Sequence, residues 1–524
     1  METSMFKRLI GALVWLVAGG AWAASPAAQL ATTDATARAE LISSWAVAPD
    51  ATRAAALVAL ENGELFATPD GRIWQQSGEA ITELASGRPS ILPDDAEALV
   101  VNNRIRSAIE VYRAAGALGD ADPAVRSGAV VAIRDAGNAA LLPLLQQRQA
   151  LERDAQVSAL LSEAGARLAL VSDDKAVRLA AIATLGESKD AATLALLEPL
   201  TRDTDGAVAQ AAKTASAAIE AREFSWNLVG NAFSGISLGS VLLLAALGLA
   251  ITYGLLGVIN MAHGEMLMLG AYATYVVQNL FRAYLPDAFD YYLLAALPVA
   301  FALTFVVGMA LERLVIRHLY GRPLETLLAT WGISLMLMQA VRVVFGAQNV
   351  EVANPGWLSG GYMLTPMLTL PYNRIAIIAF VVLVLLVTWL LLNRTRLGLF
   401  VRAVTQNRRM ADSVGVATAR VDMLAFGLGS AIAGLGGVAL SQIGNVGPDL
   451  GQAYIVDSFM VVVLGGVGQL AGTVIGAMGL GILAKVLEPS LGAVLAKILI
   501  LAFIILFIQK RPQGLFALKG RVTD

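Results

Sequence analysis

Long apolar segments follow one another closely in the second half of the chain, beyond Trp226. Spans are predicted at 236–257, 261–280, 292–311, 327–345, 375–392 and 421–441, as two short crossings within 452–487, and at 493–509. The clearer segments are close to the ~20 residues that an α-helix needs to cross a bilayer. Backbone groups cannot stay unpaired in lipid, so these segments are expected to be helices. The predicted fold class is therefore all-α, with a polytopic membrane domain of about nine spans over residues 226–524.

The composition agrees with a chain that lies largely in lipid and excludes several kinds of site. Of the 524 residues, 57% are hydrophobic and 15% are charged, whereas a soluble protein has roughly 25% charged residues. The sequence has no cysteine and two histidines, His263 and His318. This excludes disulfides, thiolate metal sites and histidine-rich metal sites, and no cofactor is expected. No basic patch with interleaved aromatic residues is present, so nucleic acid is not an expected partner.

The charges of the loops predict the orientation of the membrane domain. The loop 312–326 contains three arginines and the loop 393–420 contains six, whereas 346–373 contains no lysine or arginine. Because cytoplasmic loops are enriched in Lys and Arg, the first two loops are predicted to be cytoplasmic. The basic tail from Lys510 is predicted to be cytoplasmic as well. An outside start and an inside finish require an odd number of crossings, which favours nine.

The N-terminus resembles a secretory signal peptide, predicted at residues 1–23. Lys7 and Arg8 precede an apolar run from Leu9 to Ala18, and the small-residue site Ala21-Trp22-Ala23 follows. A basic start, a short apolar run and such a site are typical of exported chains. An uncleaved anchor helix is the alternative, although the apolar run is short for a span. In both cases the following residues are predicted to be periplasmic.

Residues 24–225 are predicted to form an exported α-helical domain with a loose repeat. Asp122, Asp154, Asp174 and Asp205 each precede a short Ala- and Val-containing segment, at intervals of about 31–32 residues with one shorter interval. Each Asp is placed to cap a helix that packs on its neighbour. The pattern favours stacked helical pairs similar to HEAT repeats, with an irregular helical bundle as the alternative. No catalytic constellation is found here, so a docking surface is expected.

The stretch GVINMAHGEMLMLGAYATY, from Gly257, contains the candidate substrate-path residues Asn260, His263, Gly264 and Glu265. Polar groups within a membrane usually face the interior of a helix bundle or a water-filled path. Glycines let the backbone bend there, as at interrupted helices that border transport routes. A cytoplasmic hairpin turn with both charged groups at the wet interface is the other interpretation, and the residues alone leave both open.

Four segments resemble the permeases of ATP-binding-cassette (ABC) importers for branched-chain amino acids and urea. They are GLAITYGLLGVINMAHGEMLMLGAYATY (248–275), TRLGLFVRAVTQNRRMADSVGV (395–416), DMLAFGLGSAIAGLGGVAL (422–440) and KRPQGLF (510–516). The long helical extension and the run GVINMAHGEM resemble most the urea-transport permease subunits, with branched-chain amino acid permeases as the alternative. The resemblance implies an inner-membrane subunit that works with a second permease subunit, two ATP-binding subunits and a periplasmic substrate-binding protein.

The loop 393–420 is similar to the coupling helix of that family, which docks on the ATPase subunit. The residues implied in this contact are Arg402, Arg408, Arg409 and Gly415. Simple positive-inside anchoring is the alternative explanation of the arginines. No G-x-x-x-x-G-K-[ST] stretch occurs in the sequence, so ATP hydrolysis is assigned to partner subunits.

Three other classes of function are alternatives to an importer permease. A proton-coupled secondary transporter would use His263 and Glu265 to carry the proton. A membrane receptor would sense a ligand through the exported domain, but no output domain is recognisable. An enzyme is disfavoured, because neither a nucleophile–base pair nor a carboxylate pair is found.

Overall fold

A computed structural model describes residues 26–31, 34–68, 72–78, 80–84 and 88–516. The predicted signal peptide lies outside the described residues. The chain divides into two compact units, with the boundary between Arg222 and Glu223.

The N-terminal unit consists mainly of short helices. They are α1 (Pro26–Ala31), α2 (Ala35–Trp45), α3 (Ala51–Glu61), α4 (Asn103–Ala117), α5 (Pro123–Ala136), α6 (Leu142–Leu151), α7 (Ala155–Ala169), α8 (Lys175–Gly186), α9 (Thr193–Leu197) and the beginning of α10 (Gly206–Leu256). Short 3-10 helices occur at Ala139–Leu141 and Pro199–Arg202. Successive helices pack on one another, but the assignment to HEAT-like repeats stays a prediction.

The aspartates singled out in the sequence lie at the starts of helices. Asp122 accepts from Ala124 N and Asp174 from Ala176 N, at 2.9 and 2.8 Å. Asp154 accepts from Gln156 N at 2.9 Å, and Asp205 from Ala207 N at 2.8 Å. Each side chain thus satisfies a backbone donor that has no partner within its helix. These caps explain why the helices begin where they do.

The N-terminal unit also contains a small antiparallel sheet, so the expectation of helices alone is wrong for this segment. Its strands are β1 (Leu65–Ala67), β2 (Ile73–Ser77), β3 (Ala80–Glu83), β4 (Arg88–Pro89) and β5 (Glu97–Ala98), in the order β4-β3-β2-β1-β5. Leu65 opposes Gln75, and Trp74 opposes Glu83. Strands of two to five residues are too short to show a clear alternation of apolar and polar residues in the sequence.

The second unit is a helical bundle that includes most of α10. The further helices are α11 (His263–Tyr284), α12 (Tyr292–Leu314), α13 (Pro323–Phe345), α14 (Tyr372–Arg394), α15 (Arg396–Gln406), α16 (Arg408–Ser413), α17 (Thr418–Ser441), α18 (Leu450–Gly465), α19 (Leu470–Leu491) and α20 (Ala493–Lys510). The loop between α13 and α14 carries a hairpin of β6 (Gly361–Thr365) and β7 (Leu368–Pro371). Short 3-10 segments lie at Pro286–Tyr291, Ile316–His318 and Gly356–Leu358.

Among the described residues, seven helices are long and apolar enough to cross a membrane. They contain the apolar parts of α10, α12, α13, α14, α17, α19 and α20. Two further crossings were predicted where α11 and α18 lie. The 22 residues of α11 include several polar groups, and α18 is apolar but has only 16 residues. The count of nine spans therefore stays a prediction.

Glycines form the close contacts at the centre of this bundle. A Cβ on Gly270 of α11 would collide with the Gly434 carbonyl of α17. A Cβ on Gly437 of α17 would collide with the Leu267 carbonyl of α11. Small residues let helix backbones approach closely in membranes, where apolar burial alone does not drive helices together. The buried helix α17 therefore contacts α11 along a glycine seam.

Candidate functional site

The candidate path residues lie where α10 ends and α11 begins. Gly257 has φ +65°, and its N–H donates to the Tyr253 carbonyl at 2.9 Å. This left-handed conformation ends α10, and glycine adopts it without steric cost. The chain then runs without helical structure to a turn at Met261 and Ala262, and α11 begins at His263.

His263 is completely buried against α10. Its Nε2 lies 3.0 Å from the Ala245 carbonyl oxygen. A carbonyl only accepts, so Nε2 donates here and the neutral ring keeps Nδ1 as an acceptor. Within the part of the chain that the structure describes, Nδ1 has no hydrogen-bond partner. The crossing of α10 and α17 encloses the ring, since a Cβ on Gly248 would lie 2.9 Å from His263 Cε1.

Glu265 is equally buried but contacts other helices. Its Oε1 accepts a hydrogen bond of 2.8 Å from Ser334 Oγ of α13. Its second oxygen, Oε2, has no hydrogen-bond partner among the residues described, and it lies beside Gly451 of α18. A buried carboxyl oxygen without a donor is costly. Glu265 therefore offers an open hydrogen-bonding position between α11, α13 and α18.

Asn260 is buried in the non-helical segment and forms a local turn. Its Oδ1 accepts from Ala262 N at 3.1 Å, which leaves Nδ2 without a partner in the described ranges. The next residue, Met261, donates its N–H to Thr330 Oγ1 at 3.2 Å. This hydrogen bond holds the interrupted segment against α13. The Thr330 hydroxyl accepts from a backbone N–H that would otherwise be unpaired.

Gly264 is a point of close approach between α11 and α18. A Cβ at this position would lie 2.5 Å from the Gly451 carbonyl oxygen and 3.0 Å from Ile455 Cβ. The reverse contact is equally tight, because a Cβ on Gly451 would lie 2.6 Å from the Gly264 carbonyl oxygen. Any larger residue would therefore push α18 away from the unpaired oxygen of Glu265.

The first turn of α11 brings the four candidates together, but their side chains have different surroundings. His263 contacts α10, whereas Glu265 contacts α13 and approaches α18. All three polar side chains are at most 1% exposed, so they face protein and not lipid. Three buried polar atoms without described partners within six residues, from Asn260 to Glu265, distinguish this place from an ordinary helix start.

The candidate coupling residues lie on α15, α16 and the turn after them. Arg402 is exposed and donates to the Leu392 carbonyl of α14 at 2.5 Å. Arg409 is exposed, and its guanidinium has no ion pair with a described residue. Gly415 has φ +89° and its N–H donates to the Asp412 carbonyl, while Val416 N donates to the Ala411 carbonyl, both at 3.0 Å. This pair of bonds is a Schellman motif, which explains why α16 ends at a glycine.

Arg408 differs from the other arginines because it contacts both α17 and the turn between α12 and α13. Its guanidinium forms an ion pair with Asp422 of α17 and lies 4.7 Å from the centre of the Tyr320 ring. Tyr320 in turn donates its hydroxyl to Glu312 of α12 at 3.0 Å. Asp422 and Glu312 are fully buried. Burial and the neighbouring carboxylates raise the pKa of Tyr320, which keeps its hydroxyl a donor.

The sequence reasoning missed Glu312, Tyr320 and Asp422. Two carboxylates at the ends of apolar segments that are predicted to be cytoplasmic were the available signal, since charged groups there need partners. Their partners come from separate parts of the chain, which no local pattern brings together. The polar residues in the loops after α13 and α17, which line a cavity, were not singled out from the sequence either.

Comparison with known proteins places the bundle in a defined sequence group. Residues 231–508 match the sequence profile described as "Branched-chain amino acid transport system / permease component". This match covers more than half of the chain and includes both groups of candidate residues.

Individual relatives align over the same part of the chain. The chain is 29% identical over 288 residues to the high-affinity branched-chain amino acid transport system permease protein BraD of Pseudomonas aeruginosa, covering 54% of this chain and 93% of that protein. It is 29% identical over 289 residues to LivH of Escherichia coli K12, a permease protein described in the same words, with the same coverage. It is 26% identical over 268 residues to the ribose import permease protein RbsC of E. coli K12, covering 49% and 77%. No solved structure matches.

Proposed function

The chain belongs to the family of permease components of branched-chain amino acid transport systems, and we propose that it is the permease subunit of an ATP-driven importer for urea. The family members are permeases and not enzymes. The observation that carries the proposal is the buried, partly unpaired polar turn at His263 and Glu265, set within a bundle that matches transport permeases. Urea is small and neutral, and it needs hydrogen-bond donors and acceptors along its path and no countercharge.

The choice of urea rests on the long N-terminal unit and on the run GVINMAHGEM, both of which resemble urea-transport permease subunits. A branched-chain amino acid is the second candidate solute, because BraD and LivH are described as permeases for these amino acids. Uptake by the assembled importer separates the two. Saturable import of labelled urea that excess leucine does not inhibit supports urea, and the reverse pattern supports the amino acid.

The turn at His263 and Glu265 is proposed to border the translocation path or its gate. Asn260 Nδ2, His263 Nδ1 and Glu265 Oε2 are the atoms that lack partners in the described structure. They combine donor and acceptor groups, as a urea molecule would require. Gly264 keeps α18 within reach of the same turn.

The helix pair α15–α16 is proposed to dock on an ATP-binding subunit. Beside the basic Arg409, Met410 and Val414 are 62% and 72% exposed, and an apolar surface next to positive charge is suited to a protein partner. Arg408 ties this surface to α17 through Asp422. Movement of the docked partner would therefore be transmitted to the bundle through an ion pair and not through the loop alone.

The remaining partners and the orientation follow from the same proposal. The importer would contain a second permease subunit, two ATP-binding subunits and a periplasmic substrate-binding protein, with the N-terminal unit in the periplasm and the C-terminus in the cytoplasm. A single cysteine introduced as Arg409→Cys tests the orientation, because the native chain has none. A membrane-impermeant maleimide should label it in inside-out vesicles only; labelling from outside intact cells would contradict the orientation.

ATP dependence tests the importer class. Urea uptake should stop when the catalytic residue of the co-expressed ATPase is inactivated and should continue when the proton gradient is collapsed. Uptake that follows the proton gradient would instead favour a secondary transporter that uses His263 and Glu265.

A further inference from the structure

The membrane unit contains a cavity of about 300 Å³ at the opposite ends of the helices from Arg408. It lies among α10, the end of α17, the start of α18 and the end of α19, together with the loop after α13 and the start of α14. Its polar lining residues are Ser237, Asn349, Arg374, Asn445, Asp449, Tyr454 and Lys485. The predicted orientation places this cavity on the periplasmic side.

Ser237 places a hydroxyl without a described hydrogen-bond partner in the wall of the cavity. Its side chain is completely buried, and Oγ has no hydrogen-bond partner in the described part of the chain. The glycines on either side hold α10 tightly against α19, because a Cβ on Gly235 would lie 2.5 Å from Ile482 Cα and one on Gly239 would lie 2.7 Å from the Ala477 carbonyl oxygen. A buried hydroxyl without a partner is unfavourable unless something else supplies the hydrogen bond.

The cavity also contains one free cation and one free anion. The described residues provide no ion pair for Arg374 or for Asp449, whereas Lys485 is paired with Glu488 at 2.6 Å. Arg374 presents several N–H donors, and Asp449 presents only acceptors. The two groups are therefore available to opposite ends of one polar molecule.

Two loops are joined so that acceptor oxygens converge at one place. Val350 and Val446 exchange two backbone hydrogen bonds, of 2.8 and 2.9 Å. Next to this bridge, a Cβ on Gly447 would collide with Asn349 Oδ1 and lie 3.0 Å from Asp449 Oδ1. Glycine at position 447 thus lets an amide oxygen and a carboxylate oxygen approach each other from different loops.

From this geometry we infer that the cavity is the site where the solute binds before it crosses the membrane. The ligand class is a small molecule that carries a carbonyl or carboxylate oxygen close to N–H donors. Arg374 donates to the oxygen, Asp449 and Asn349 accept from the N–H groups, and Ser237 completes the set. Urea and α-amino acids share this chemistry. The inference rests on the proposed function insofar as the solute is the transported one.

Protection of an introduced cysteine tests the site directly in the assembled importer. Asn445→Cys, at an exposed position in the lining of the cavity, should react with a small maleimide added to the periplasmic side, and urea should slow the reaction at least about fivefold at saturation. Ser359→Cys, in the exposed loop before the hairpin, is the matched control and should react at the same rate with and without urea. Protection by leucine and not by urea would assign the site to the amino acid. Equal reaction rates at position 445 with and without either solute would overturn the inference.

Substitution of the charged groups gives a second, independent measurement. Equilibrium binding of labelled solute is measured on the assembled importer without its binding protein. Arg374→Gln and Asp449→Asn should each weaken this binding by about tenfold or more, as expected for the loss of a hydrogen bond to a charged group. Arg342→Gln, an exposed arginine at the end of α13 outside the cavity, should leave binding unchanged.

The failures of the two proposals are distinguishable. If wild-type importer takes up urea but both cavity variants bind it like Arg342→Gln, the cavity inference is wrong and the urea importer stands. If wild type takes up leucine and not urea, and the cavity variants weaken leucine binding, the urea proposal is wrong and the cavity inference stands.

Discussion

Replacing Gly264 by alanine tests the packing around the buried polar turn. The added methyl group would lie 2.5 Å from the Gly451 carbonyl oxygen and 3.0 Å from Ile455 Cβ. Neither neighbour is the flexible end of a side chain, so α18 must move. Gly332 of α13 is the matched control, because a Cβ there has no atom within 4 Å.

The difference between the two variants isolates the cost of the contact. Alanine in place of a helical glycine stabilises by roughly 0.5–1 kcal/mol at an open position, and this gain is common to both. Overpacking costs typically 1–3 kcal/mol. We therefore expect Gly264→Ala to be less stable than Gly332→Ala by about 2 kcal/mol. On the scale of large domains this corresponds to roughly 4–8 °C in the unfolding midpoint.

Thermal unfolding of the two purified variants in the same detergent measures this difference, followed by intrinsic tryptophan fluorescence. Uptake normalised to inserted protein provides the functional readout. Gly264→Ala should lower it, since displacement of α18 also moves Gly451 away from Glu265, whereas Gly332→Ala should transport normally. Equal midpoints for the two variants would refute the reasoning from close contact.

Three further predictions concern other parts of the chain. Glu265→Gln and His263→Ala should preserve insertion but reduce labelled-urea uptake severalfold; near-normal rates for both would make the turn structural only. Gly415→Val should uncouple ATP hydrolysis from uptake, because a β-branched residue is strained at φ +89°; an unchanged ratio of urea imported to ATP hydrolysed would count against this. The Arg126 guanidinium lowers the pKa of Glu152 to about 2 from its ordinary 4.5, so this pair stabilises α5–α7 above pH 4.5 and the stabilisation is lost as the pH falls towards 2. Hydrogen exchange of residues 123–169 in the full chain should therefore differ between wild type and Glu152→Gln at pH 6 and converge near pH 2; a constant difference would exclude the ion pair as the cause.

The bundle was predictable because its signals are local. An apolar run of suitable length predicts a helix whatever it packs against, and the helices lie close to the predicted segments. Helix starts at Asp122 and Asp174, and the helix end at Gly415, follow from caps that involve only neighbouring residues. The strands between Leu65 and Ala98 were missed because pairing over two to five residues is decided by contacts that are distant along the sequence.

The candidate site was predictable only as a set of residues. Polar groups in an apolar stretch predicted that His263 and Glu265 are buried in protein, but not that Ala245 and Ser334 are their partners. The sequence placed Arg408 on a cytoplasmic surface and treated it like the neighbouring Arg409. Its pairing with Asp422 depends on how α16 packs against α17, which is a property of the assembled bundle.

Helix α17 connects the two ends of the membrane unit. From Asp422 beside Arg408 to Leu440 at the cavity, the helix rises about 27 Å. Along this length its glycines contact the backbones of α10 and α11 too closely for side chains to intervene. Such a seam resists local deformation, because a small shift brings backbone atoms into collision. A displacement of the α15–α16 pair, applied through Arg408, would therefore move α17 as one body and change the cavity at its other end. Asp422→Asn should then weaken the effect of ATP on the protection of Asn445→Cys, while solute protection without ATP remains.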